Sequence, residues 1–135
     1  MIKFIPSTTE DAPQIQQWTD ADVYHNGQHS PDWWITGNGL LSFCLCDDAG
    51  SVLYIRLDEG EYVRISAQFA PADIVGKRRL VRAILQLLPK LVEVAKSNGS
   101  KGLIFSSESP TLIGFMKKAG YQDTGDGDFK LTFGE

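Results

Sequence analysis

Between Tyr62 and Ala95 the hydrophobic period of the chain changes, and that change restricts the fold more than any other feature. From Tyr62 to Phe69 the side chains alternate: Val63, Ile65, Ala67 and Phe69 face one way, and Arg64, Ser66 and Gln68 the other. That is the period of a strand. After Pro71, Leu80, Ile84, Leu87, Leu88, Leu91 and Ala95 fall on one helical stripe, with Lys and Arg opposite. Asp73 reads as the N-cap of this helix, and Pro89, inside the stripe, is expected to kink or divide it. Asn98-Gly99 stops it, and Gly102 to Ser106 is a short apolar strand. Strand, amphipathic helix and strand in that order predict a β-α-β unit with a parallel crossover.

The rest of the chain fits around this unit. Ile2 to Ile5 reads as a first strand ended by Pro6. Ser7 or Thr8 can cap a helix that carries Ile15 and Trp18 on one side, with Pro13 tolerated near its start. Tyr24 to Gly39 holds no clear period and is expected to be loop with a short helix. Leu40 to Cys46, Val52 to Leu57 and Tyr62 to Phe69 are separated by Asp/Gly turns, so they form an antiparallel meander. A further helix is expected from about Ser109 to Lys118, then strands at Tyr121 to Thr124 and Phe129 to Phe133. No linker or repeat interrupts this order. The expectation is one α/β (α+β) domain over residues 1–135, with a mixed, mostly antiparallel sheet and helices on both faces.

Bulk properties exclude several function classes. A net charge of -4 argues against broad nucleic-acid binding, which shows a basic footprint. No apolar run approaches the roughly 18 residues of a membrane span, and the N-terminus lacks a secretory pattern. Cys44 and Cys46 are the only cysteines; two apart on a strand, they read as small core residues rather than a disulfide or metal pair. A reducing cytoplasm fits. His25 and His29 are four apart but bracket Asn26-Gly27 and lack a third ligand, so no metal is expected.

Ser109-Pro110-Thr111-Leu112-Ile113-Gly114-Phe115-Met116-Lys117-Lys118-Ala119-Gly120-Tyr121 resembles a late motif of the GNAT N-acetyltransferase superfamily, in which a helix ends as Phe-Tyr-x-Lys-x-Gly-Phe. Phe115, Lys118, Gly120 and Tyr121 match that run in register. Phe69-Ala70-Pro71 is similar to the family's Val-x-Pro at the end of its fourth strand, and the element order agrees across essentially the whole chain. The resemblance implies an acetyl-CoA-dependent N-acetyltransferase whose acceptor is a primary amine of a small molecule or protein. It also implies that subunits can pair as a homodimer through the late strands. A GNAT-like domain that serves as a non-catalytic binding or structural component is the alternative.

The site implied by the resemblance lies where the fourth and fifth strands splay, at the start of the long helix. A backbone N–H near Ala67 to Ala70 would polarise the thioester, and Phe69, Ala70, Gly76, Lys77, Arg78 and Arg79 would hold the cofactor. The loop after Pro71 departs from the family's Arg/Gln-x-x-Gly-x-Gly/Ala: Gly76 is its one glycine. Lys77, Arg78, Arg79 and Arg82 crowd the first helical turns, where cations oppose the helix dipole by roughly 0.3–1 kcal/mol each. A bound phosphate would relieve that, and so would acidic neighbours on an ordinary solvated face. Glu61 is the first candidate for a general base, followed by Asp58 and Glu59; a solvated hairpin turn explains these three equally. Met116 occupies the family's usual Tyr position and cannot donate a proton. Trp33-Trp34 falls where the acceptor-side wall forms in the family, with core burial as the other explanation.

Overall fold

In the computed structural model, which describes residues 2–22, 30–35, 40–71, 73–107 and 109–134, the elements follow in this order: β1 (Lys3–Pro6), α1 (Ala12–Ala21), α2 (Pro31–Ile35), β2 (Leu41–Asp47), β3 (Gly50–Asp58), β4 (Tyr62–Phe69), α3 (Lys77–Ser97), β5 (Gly102–Ser106), α4 (Pro110–Lys118), β6 (Gln122–Asp123) and β7 (Asp128–Thr132). The strands make one seven-stranded sheet in the order β1-β2-β3-β4-β5-β7-β6. β4 and β5 pair in parallel, and the other neighbours pair antiparallel. The expected β-α-β crossover and mixed sheet are therefore present.

Helices cover both faces. Trp18 of α1 packs on Tyr54 of β3, ring centroids 5.1 Å apart, and Gln14 donates to the Tyr54 hydroxyl, which donates in turn to Asp11. On the opposite face α3 buries Ile84, Leu87, Leu91 and Ala95 of the stripe read from the sequence, with Ala83 added and Leu80 and Leu88 partly buried beside them. Two same-direction crossovers place α4 beside α3, where Met116 and Tyr121 close the core over Phe105 and Phe129. Each fully buried Leu, Ile or Val side chain in this core contributes about 1.5–3 kcal/mol.

Several local expectations change. α3 is one helix across Pro89, not two. Pro89 is exposed, and the helix runs through it with one backbone bond fewer, since proline has no N–H to donate to the Leu85 carbonyl. Gly76, not Asp73, is the N-cap. The N–H groups of Ile74 and Val75 both return to the Pro71 carbonyl, and that turn delays the helix start. Gln68, on the polar side of the β4 alternation, is fully buried because α1 covers that face. A register shift between Leu45 and Cys46 brings the two free thiols to 3.6 Å. Burial pushes the Cys44 thiol up to about 12, so it stays protonated near neutrality.

Gly102 fixes the bottom of the crossover. A Cβ there would stand 1.9 Å from the Leu131 carbonyl oxygen, so only glycine lets β5 and β7 approach at this register. At the other end, Arg79 in the first turn of α3 donates from Nε and Nη2 to the two carboxylate oxygens of Asp47, at 2.7 and 2.8 Å. That fork ties the helix start to the β2–β3 turn and holds the Asp47 carboxyl near 2, below its ordinary 3.8. With the folded value depressed, the stabilisation is complete above the unfolded value and disappears as pH falls toward 2. Asp47→Asn should therefore lower the unfolding free energy on the order of 1 kcal/mol near neutral pH. The gap to wild type should close at strongly acid pH in urea titrations; an equal gap at both pH values would show that the ion pair is not its source.

Candidate active site

The ladder between β4 and β5 is short: Tyr62, Val63 and Arg64 pair with Gly102, Leu103 and Ile104, and β4 then runs on to Phe69 without β5 beside it. The Ala70 N–H donates to Val52 of β3 at 3.1 Å, and the β3–β4 register runs without a bulge. Strict alternation then sends the N–H groups of Ala67 and Phe69 to the opposite edge, into the opening. No strand pairs with them there among the described residues.

A cleft of about 520 Å³ occupies the opening and passes from one face of the sheet to the other. On the α3/α4 side Phe69, Lys77, Leu80, Phe115 and Met116 line it. On the α1/α2 side its walls are Asp22, Trp33, Trp34, Asp58 and Ser66. Ser106, Ser107, Ser109 and Thr111 line it at the end of β5 and the start of α4. Ser109 caps α4, its Oγ accepting from the Leu112 N–H, and Pro110 opens the helix at a position that needs no N–H.

The structure separates the residues singled out in the sequence. Phe69 and Lys77 line the cleft. Ala70 is buried with its N–H turned to β3, so Ala67 and Phe69 present the open amides. Gly76 begins α3 without a side-chain cap, and a Cβ at this position would meet open space. Arg78 is exposed and makes no ion pair among the described residues, whereas Arg79 is committed to Asp47. Glu61 is not brought to the cleft: it lies before β4, paired in the open with Lys101 at 3.0 Å. The length of β4, about 23 Å at 3.3 Å per residue, separates it from Phe69. Lys101 also holds the Glu61 carboxyl below its ordinary value. Of the three hairpin carboxylates, Asp58 lines the cleft. His25 and His29 lie outside the described residues, and among those described no cluster of three His, Cys, Asp or Glu could hold a metal.

Arg56 is an anchor that the sequence did not reveal. Buried on β3, it directs Nε and Nη2 to the same Asp58 oxygen, Oδ1, at 3.0 and 2.9 Å. Its Nη1 donates to the Trp33 carbonyl at 2.6 Å, and its guanidinium lies 4.1 Å from the Trp33 ring centroid. Trp33 and Trp34 meet edge to face at 4.8 Å. One cation thus sets both Asp58 and the indole wall. Gln68 and Asp22 also escaped the sequence reading. An arginine in an apolar strand was a usable signal; nothing near Asp22 was.

No family model matches the sequence, and no curated protein matches it. Solved structures do match in fold. A GNAT-family acetyltransferase from Staphylococcus aureus aligns over 98% of this chain and 99% of its own, with a TM-score of 0.75 and 14% identity. A GNAT-family acetyltransferase from Brucella melitensis, determined with acetyl-CoA, aligns over 100% and 90%, with a TM-score of 0.65 and 17% identity. A spermidine/spermine N-acetyltransferase from Vibrio cholerae aligns over 98% and 95%, with a TM-score of 0.69 and 13% identity. The chain has the GNAT acetyltransferase fold. No helix among the described residues is long and apolar enough to cross a membrane.

Removing Arg56 would leave Asp58 and the Trp33 carbonyl without their shared donor in a largely buried setting. Arg56→Met should lower stability by about 2–3 kcal/mol, the lower side of the range for breaking a buried pair because Asp58 is partly exposed. Tryptophan fluorescence should shift with it. Urea unfolding with fluorescence detection checks both; an unchanged midpoint would remove Arg56 as the anchor.

Proposed function

We propose that the chain is an acetyl-CoA-dependent N-acetyltransferase acting on a primary amine. The observation that carries this reading is the opening in the sheet, where the Ala67 and Phe69 N–H groups face a cleft that reaches both faces. Donors fixed in a strand and aimed at a developing oxyanion need no rearrangement during reaction. The GNAT fold of the neighbours supports the same reading, as does the acetyl-CoA bound to the Brucella protein.

The donor substrate fits the α3/α4 side. Apolar Leu80, Ile84 and Phe115 would line the path of its pantetheine arm. Its phosphates would meet the first amides of α3, which no side chain caps. The loop has one glycine, so Lys77 and Arg78 would add side-chain charge where the family uses glycine amides. The acceptor amine would enter between Trp33, Trp34, Asp22 and Asp58. Its protein or small-molecule character is not set by these residues.

Met116 carries the second reading, a GNAT-like domain without transferase activity: it is buried in the cleft and offers no proton to a departing thiolate. A departing thiolate can instead take its proton from solvent, and Ser106, Ser107, Ser109 and Thr111 line the same cleft. Transfer is therefore favoured.

Titrating acetyl-CoA into the protein by calorimetry at moderate salt tests the reading. Micromolar binding supports the transferase, and absence of binding at millimolar ligand overturns it. Arg78→Glu should weaken binding about tenfold, with salt dependence reduced and melting temperature nearly unchanged. A large stability loss in that variant would instead assign Arg78 a structural role. Glu61→Gln should leave both affinity and turnover as in wild type, and a drop in turnover would return Glu61 to the site.

A further inference from the structure

The two cysteines of the chain stand two positions apart near the end of β2, and neither lines the cleft. Both are free thiols, Cys44 buried and Cys46 partly exposed. Their sulfurs lie 3.6 Å apart. The Cys44 S–H donates to the Leu45 carbonyl at 3.7 Å, and the Ser51 hydroxyl, opposite Cys46 in the ladder, lies 3.7 Å from Cys46 Sγ. An outer sulfur thus touches a sealed inner one, and the chain holds no third thiol to compete for either.

Residues two apart on an extended strand have Cα atoms about 6.6 Å apart, twice the rise of about 3.3 Å. Disulfides span about 4.4–6.8 Å between Cα atoms and favour about 5.5–6 Å. Joining Cys44 to Cys46 therefore asks β2 to shorten by about 1 Å or less. The β2–β3 register already breaks between Leu45 and Cys46, so the ladder yields more easily there than along a regular run. Asp47 follows at once, with both carboxylate oxygens on Arg79 at the start of α3. Shortening β2 beside Asp47 moves one end of that fork.

We infer that Cys44 and Cys46 form a modification site, a dithiol that a hydroperoxide converts into an intramolecular disulfide, and that closure loosens the Asp47–Arg79 fork. The partly exposed Cys46 meets the oxidant as its thiolate, with the Ser51 hydroxyl placed to donate to it. Its sulfur attacks one peroxide oxygen, the O–O bond breaks, and Cys46 becomes a sulfenic acid. The hydroxide that leaves becomes water with the proton Cys46 had released. Burial keeps the Cys44 thiol protonated and away from peroxide during this step. Its sulfur then attacks that of Cys46: the S–S bond forms, the S–O bond breaks, and the departing hydroxide takes the Cys44 proton as water. Both sulfurs are oxidised, and one peroxide is reduced to two waters. Nothing in this chemistry depends on acyl transfer, so its test is separate from that of the transferase reading.

The test treats reduced protein with excess hydrogen peroxide and stops the reaction with catalase. The intact mass should fall by two hydrogens, and both thiols, titrated in urea, should disappear and return after dithiothreitol. Cys44→Ser should stop at the sulfenic acid, gaining one oxygen and reacting with dimedone. Cys46→Ser should keep its remaining thiol under the same treatment, because Cys44 is sealed. Near neutral pH, oxidation should lower the urea midpoint of wild type by the shift that Asp47→Asn causes. In Asp47→Asn itself, where the fork is already gone, that drop should be missing. Wild type that keeps both thiols, gains oxygen without closing, or links two chains overturns the inference. So does a Cys46→Ser variant that loses its thiol as fast as Cys44→Ser, since Cys44 would then meet peroxide on its own. A midpoint that moves equally in wild type and Asp47→Asn overturns the link to the fork.

Discussion

Three parallel residue pairs hold β4 to β5, and the opening beyond them organises the molecule. A sheet that paired fully here would have no cleft and no free donors on β4. The ladder is anchored where Gly102 lets β5 press against β7, and it ends where Phe105 turns its ring to Tyr121 and Phe129. Side chains of α3 and α4 line the resulting wedge without filling it. Backbone N–H groups facing apolar walls carry a desolvation penalty of about 1–3 kcal/mol each if nothing accepts from them. That penalty falls when a carbonyl enters, and it falls most for an oxygen that gains negative charge.

The start of α3 concentrates charge of the wrong sign for an isolated helix. Arg79 is relieved by Asp47, which also fastens the β2–β3 turn to the helix. Arg78 and Arg82 stand one turn apart on the exposed side, like charges that disfavour the helix by a few tenths of a kcal/mol. The fold thus supplies an acidic neighbour to one arginine of the cluster and leaves Arg78 in solvent. The acidic-neighbour explanation offered by the sequence holds for Arg79. Arg79 belongs to the structure, and Arg78 stays exposed to solvent.

Much of the architecture was legible because it rests on period and punctuation. The alternation from Tyr62 to Phe69 and the stripe from Leu80 to Ala95 mark elements that burial stabilises, and the sheet and crossover follow from them. Ser109, Asn98-Gly99 and Gly120 mark ends through local backbone chemistry. The helix start at Lys77 was less legible, because the turn over Pro71 uses backbone bonds that no side chain announces. Glu61 and Asp58 could not be told apart by position in a hairpin. They stand three positions apart, yet Asp58 lines the cleft and Glu61 pairs with Lys101 in solvent. Asp22 was invisible for a related reason: Gln68, which donates to it, lies 46 residues away, and that contact exists only once α1 covers the sheet.

The buried polar groups show where this fold departs from simple core economy. Gln68 is sealed beneath α1 with its carbonyl oxygen lacking a hydrogen-bond partner among the described residues, at a position where valine or threonine would suit a central strand better. Arg56 is buried two strands' width from the same opening, its charge set against Asp58 and an indole. Replacing the whole Arg56–Asp58 pair by packed apolar residues would remove its desolvation cost, since buried ion pairs are often worth no more than well-packed hydrophobes, whereas removing Arg56 alone strands Asp58. Both side chains instead reach toward one face of one cleft, each holding a carboxylate on its rim. Such local violations of packing rules concentrate at functional sites, and here they gather on the α1/α2 side of the cleft. Under the proposed transferase reading, tests of catalysis therefore belong on that face ahead of Met116, which offers no proton.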